Sequence, residues 1–262
     1  MVFVFSTVFK AILTRLIFAS HAMVAIFWVT LVTKQESLWH LSWILVGLFV
    51  ETLVCLFYRH GDEYKWVSPS ILCYLIAIIP CAWIIELHLL PVRSANVSSI
   101  LPGVDGEVLT DLIEQTTLLM MILGRWLLPK GSLTRESLSQ LLLVNLAMSA
   151  DIIEFFDILK LKEAQQSHDV TLAILCLWTI SLMQFPVNAT AKLGTEETAP
   201  KHRVTMDLIG TVMALFMQDG PFLTFRLFMI AKYSAFGYMI VFLTVKNALL
   251  LTLQVYKLCV MH

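Results

Sequence analysis

The chain reads as an all-α integral membrane protein: a polytopic helical bundle of about eight transmembrane helices in one multi-pass domain, residues 1–262. Three observations predict this. Hydrophobic residues make up 58% and charged residues 14%, where soluble domains run about 45–50% apolar and about 25% charged. Too few polar groups are left to cover a surface facing water. The mean hydropathy is +0.81, and it is concentrated in runs of about 20 residues, the length that crosses a bilayer as a helix. Those runs are continuous, so the alternating pattern of an outer-membrane β-barrel is excluded.

The spans follow in order. Residues 8–33 form the first and carry Arg15 and His21. Ser20-His21-Ala22 has the spacing of a signal-cleavage site, but apolar sequence runs on through Val32, so a retained first span is expected. Lys34-Gln35-Glu36-Ser37 is a short turn into span two, residues 38–58, which carries Glu51. Span three, 68–90, opens on Ser68-Pro69, and proline suits a first helical turn because its missing N–H would be unpaired there. Pro80 lies mid-span, where a kink is expected. Residues 91–107 are the most loop-like segment. Span four covers 108–129, with Asp111 and Glu114 early and Arg125 late, and Pro129-Lys130-Gly131 stops it. Span five is 137–161, span six 170–189, span seven 205–231 and span eight 235–260. The count falls to seven if span four or five is re-entrant.

An even count puts both termini on one side of the membrane. With both cytoplasmic, the inner loops and C-terminal end hold eight lysines and arginines against five in the outer loops. The positive-inside rule favours that orientation. It also places the acceptor Asn96-Val97-Ser98 outside, where it is available for glycosylation. Asn188-Ala189-Thr190 falls inside, close to the membrane, and is expected to stay unmodified.

Several function classes carry no sign. The net charge is −1 with no basic block, which gives no indication of a nucleic-acid partner. The lipid bilayer is the partner the composition implies. Five cysteines all fall in apolar runs without a CxxC, so they read as small buried hydrophobes, not as a disulfide or zinc framework. HExxH, GxSxG, P-loop and Rossmann patterns are absent. Glu-x-x-His is missing too. No catalytic residue, metal or cofactor is expected.

What remains is charge at membrane depth, which is costly and so faces a partner or a cavity. Gln218-Asp219-Gly220-Pro221-Phe222-Leu223-Thr224-Phe225-Arg226 puts an acid, a Gly-Pro break and an arginine inside span seven. Gly220 and Pro221 predict a broken or kinked helix, a device that builds ion and substrate sites and also occurs as a plain kink. Lys246 lies deep in span eight and needs a counter-charge; Asp219 is the expected partner. Asp151, Glu154 and Asp157 recur every three residues on one broad face of span five. They either line a water-filled outer vestibule, or pair with Arg226 or a loop lysine, or sit solvated beyond an earlier helix end. Glu86 joins this acid-rich outer half. Glu51 shares the inner half with Arg15 and Arg125, as one member of an ion pair or as a proton relay. These charges predict either a polar network lining an ion or small-solute pathway, or a network that only fixes helix packing in a receptor-like or assembly protein.

A collinear set of short motifs runs the length of the chain: Tyr64-Lys-Trp-Val-Ser-Pro69, Glu86-Leu-His88, Gly124-Arg-Trp-Leu-Leu-Pro129, Leu138-Ser-Gln-Leu-Leu-Leu143, Ala150-Asp-Ile-Ile-Glu-Phe155, Gln184-Phe-Pro186, Gln218-Asp-Gly-Pro-Phe-Leu223 and Lys246-Asn247. Together they resemble the transmembrane protein 26 family. The resemblance implies a multi-pass protein of the cell surface or endomembranes, and brings no catalytic residue.

Overall fold

The computed structural model describes residues 2–59, 61, 67–94, 106–127, 135–161, 164, 167–191, 208–234 and 236–261. No strand occurs among them. In chain order the helices are α1 (Val2–Thr33), a 3₁₀ segment (Glu36–Trp43) running into α2 (Ile44–Arg59), α3 (Pro69–Ser94), α4 (Gly106–Leu127), α5 (Arg135–Phe156) with a 3₁₀ turn (Asp157–Lys160), α6 (His168–Leu182), and α7 (Gln184–Ala191). Then come α8 (Leu208–Tyr233) and α9 (Tyr238–Met261).

Among the described residues, six helical segments have the length and apolarity to cross a membrane: Thr7–Thr33, Glu36–Arg59, Pro69–Pro91, His168–Val187, Leu208–Tyr233 and Tyr238–Val260. Two more, α4 and α5, each have 22 residues, or about 33 Å of helix. They are long enough to span and differ from the six in carrying more charge. Asn96 lies outside the described residues.

The surface is apolar where a soluble protein would be polar. Phe57, Trp43, Phe242 and Leu249 are all exposed, which in lipid is the favourable arrangement. With lipid as apolar as the core, close packing and internal polar contacts hold the helices together. Many hydroxyls follow the same logic. Thr14, Thr30, Thr52, Thr117, Thr244 and Thr252 each donate to the carbonyl four residues back, so these six hydroxyl protons are not stranded in hydrocarbon.

The first four helices pack as one unit, with α1 against both α3 and α4 and α2 against α3. Phe18 is fully buried and stacks on Tyr74 with ring centroids 4.6 Å apart. Gly124 on α4 lets this happen: a Cβ there would lie 2.2 Å from the Phe18 ring edge. Pro80 sits inside α3, which continues through it. Trp178 on α6 is buried against Phe156, joining α6 to α5.

Span seven is not broken at Gly220-Pro221, as the dipeptide had suggested. The chain stays helical through a π turn, Leu215–Asp219, and resumes as α-helix at Gly220. The Gly220 N–H reaches back five residues to the Leu215 carbonyl. One extra residue in the turn absorbs the donor that Pro221 lacks. Glycine is required, because a Cβ at 220 would stand 2.6 Å from that same carbonyl oxygen.

Candidate functional site

The intramembrane charges resolve into three separate groups. At one end, Arg15 on α1 meets Glu51 on α2 in a two-pronged fork, Nε to Oε2 at 2.7 Å and Nη2 to Oε1 at 2.8 Å. Its third nitrogen, Nη1, donates to the Ala11 carbonyl at 3.1 Å. Arg15 is 3% exposed and Glu51 10%. Arg125 takes a different role: its Nη2 donates to the Phe185 carbonyl at 3.3 Å, binding α4 to α7.

The second group surrounds a small cavity of about 30 Å³ lined in part by Glu86, Asp111, Glu114, Asp157, Lys160 and Trp178. Lys160 bridges Asp111 at 2.9 Å and Asp157 at 2.7 Å. Glu86 is buried here. The regular spacing of Asp151, Glu154 and Asp157 had suggested one acidic face. The structure divides it, because the helix tightens to 3₁₀ at Asp157 and turns that carboxylate toward α4. No cluster of side chains suited to a metal ion occurs among the described residues.

The third group joins α5, α8 and α9. Lys246 donates to Asp151 Oδ1 at 2.5 Å and to Glu154 Oε2 at 2.8 Å. Its partner is therefore the α5 pair and not Asp219, as charge depth alone had suggested. Two acids one turn apart form a clamp for one ammonium, and a lysine side chain is long enough to reach across. Asp219 instead accepts from Gln254 Nε2 at 2.5 Å and is 5% exposed. Arg226 is buried, its guanidinium 5.9 Å from the Phe155 ring centroid. Its Nη2 has no hydrogen-bond partner among the described residues. Arg226 remains within electrostatic range of Glu154, Asp151 and Asp219.

These side chains border a cavity of about 410 Å³ between α5, α8 and α9, a cleft open at the bundle surface. Asp151, Asp219, Gln218 and Gln254 face it, with Val144, Met148 and Leu253 among its apolar walls. Gly210 and Ala214, a small-xxx-small pair, also line it, so their small size widens a space instead of seating a helix. On the other side of the π turn a shallow open groove, about 660 Å³, is lined by Leu215, Phe216, Pro221, Phe225, Leu251 and Val255. Its hydroxyl, Thr224, is committed to the Gly220 carbonyl. The extra residue of the π turn thus sends Gln218 and Asp219 to one side and the apolar residues to the other.

Sequence reasoning missed three contributors. Gln254 and the Gln184–Gln218 amide pair carry no charge to draw notice, although glutamine deep in an apolar run is itself a signal. The third is His21, which bridges α3 and α4: Tyr74 Oη lies 2.9 Å from Nδ1, and Thr116 Oγ1 2.8 Å from Nε2.

This architecture defines a polytopic helical membrane protein whose polar groups are gathered inside the bundle. The family model of transmembrane protein 26 matches residues 4–257, and the chain belongs to that family. No solved structure matches it.

Proposed function

We propose that the protein provides a pathway for an ion or small solute, running through the cavity between α5, α8 and α9. The observation that supports this best is that Asp151 and Asp219, carboxylates on different helices, face one cavity. A buried ion pair with no task can be replaced whole by apolar residues at little cost, whereas charge lining a cavity marks solute routes in membrane proteins. The π turn supports the same reading, since such turns concentrate at functional sites.

Thiol labelling tests it. Ala147, Ala214 and Leu250 line the cavity and are replaced singly by cysteine in a background freed of Cys55, Cys73, Cys81, Cys176 and Cys259. Membrane-impermeant methanethiosulfonate labels all three positions if the cavity holds water, while Phe242→Cys on the exposed face of α9 stays unlabelled. Absence of label at every lining position, from both sides, rules the pathway out. A second reading, in which charges only fix packing, is favoured at one place by one observation: the Arg15–Glu51 fork is closed and saturates both carboxylate oxygens. That pair belongs to the scaffold that carries the pathway.

A further inference from the structure

We infer that this cavity is a binding site for an organic cation, a protonated amine with an apolar body, whose ammonium rests on Asp219. The inference rests on the pathway reading for its access route and adds the chemical class of the solute.

Charge comes first. Asp219 is 5% exposed and forms no ion pair among the described residues: Lys246 is held by Asp151 and Glu154, and Arg226, though within electrostatic range of Asp219, makes no direct contact with it. A carboxylate at such depth without an ion pair of its own is a place where the N–H groups of a bound cation are accepted. The carboxylate is also oriented in advance, since Gln254 Nε2 holds one oxygen at 2.5 Å. Gln254 Oε1 is a buried acceptor without a partner among the described residues. An ammonium with several N–H groups suits that pair, taking the free side of the carboxylate and the amide oxygen.

Size and lining then separate an amine from an inorganic ion. Calcium takes a shell of about six to eight oxygens at close range. The cavity is instead about 410 Å³, with Val144, Met148, Ala214, Leu250 and Leu253 in its walls. A few hundred cubic ångströms, mostly apolar with a few placed polar groups, is the profile of a small-molecule site. Lys257 lines the same cavity from one turn beyond Gln254, exposed.

The test uses the full-length protein in nanodiscs of zwitterionic lipid, with thermal unfolding followed by tryptophan fluorescence. Hexylammonium chloride is titrated beside hexanol and sodium chloride. Hexylammonium raises the midpoint saturably, and Asp219→Asn weakens its apparent affinity at least tenfold while leaving any hexanol effect unchanged. Ala147→Phe, which fills the cavity and leaves Asp219 in place, weakens it likewise and keeps the test open if Asp219→Asn fails to fold. Equal action of hexanol overturns the proposal in favour of a neutral apolar groove. Protection by sodium alone overturns it in favour of an inorganic ion. No response to hexylammonium also overturns it, and leaves the pathway standing if the thiol-labelling positions still react.

Discussion

Removing the Arg15–Glu51 fork one side at a time is the cleanest test of what holds the first two helices together. Arg15→Met takes away a guanidinium that makes two charge-assisted bonds to Glu51, at 2.7 and 2.8 Å. The carboxylate that remains is 10% exposed, so water cannot replace what it loses. Breaking a buried pair from one side costs about 3–5 kcal/mol, a fall in melting temperature on the order of 10 °C at this chain length. Glu51→Leu strands the guanidinium and costs about as much. Arg15→Lys keeps the charge and loses the planar fork, so an intermediate loss of about 1–2 kcal/mol is expected. The double variant Arg15→Met/Glu51→Leu has no stranded charge and recovers to within about 1 kcal/mol of the parent. Size-exclusion melting curves on the four proteins, in one detergent, give the whole cycle. A double variant as unstable as the worse single variant refutes the reasoning, because the loss would then come from packing around Arg15.

Four further outcomes are expected. Lys246→Met lowers stability by about 2–3 kcal/mol, less than for a sealed pair because the side chain is 28% exposed; adding Asp151→Asn and Glu154→Gln restores most of it, and a triple variant no better than the single one counts against the clamp. Gly220→Ala forces Cβ toward the Leu215 carbonyl and costs about 1–3 kcal/mol, with thiol reactivity at position 214 altered; an unchanged melting curve and labelling pattern would show that the π turn is dispensable. Gly124→Ala costs about as much by colliding with Phe18, and Phe18→Ala in the same chain relieves part of the loss in a melting assay. Epitope tags at the two ends become accessible to antibody only after permeabilisation of the plasma membrane, as expected for two cytoplasmic termini; staining of either tag on intact cells reverses the orientation.

The class of the fold was legible because one solvent property decides it: long runs such as 8–33 and 68–90 have no alternative in water. The Arg15–Glu51 pair was nearly legible, since few charges share that depth. Lys246 was legible as a residue in need of an anion, but its choice was not. Depth along a helix can be counted from sequence, whereas which helix stands beside α9 is a matter of packing, and α5 supplies two acids where α8 supplies one. The Gly220-Pro221 pair was legible only in part, for a related reason. It announces a missing hydrogen bond without saying how the chain repairs it, and the repair is a widened turn.

The Lys246 clamp also bears on how the chain is made. Helices enter the membrane in the order of synthesis, and α5, with Asp151 and Glu154, arrives well before α9. Until the ribosome has delivered Lys246, those two carboxylates lack the cation that pairs with them in the finished bundle. The contact between α5 and α9 therefore closes late: α5 enters the bilayer with two carboxylates whose cation lies 95 and 92 residues further along the chain.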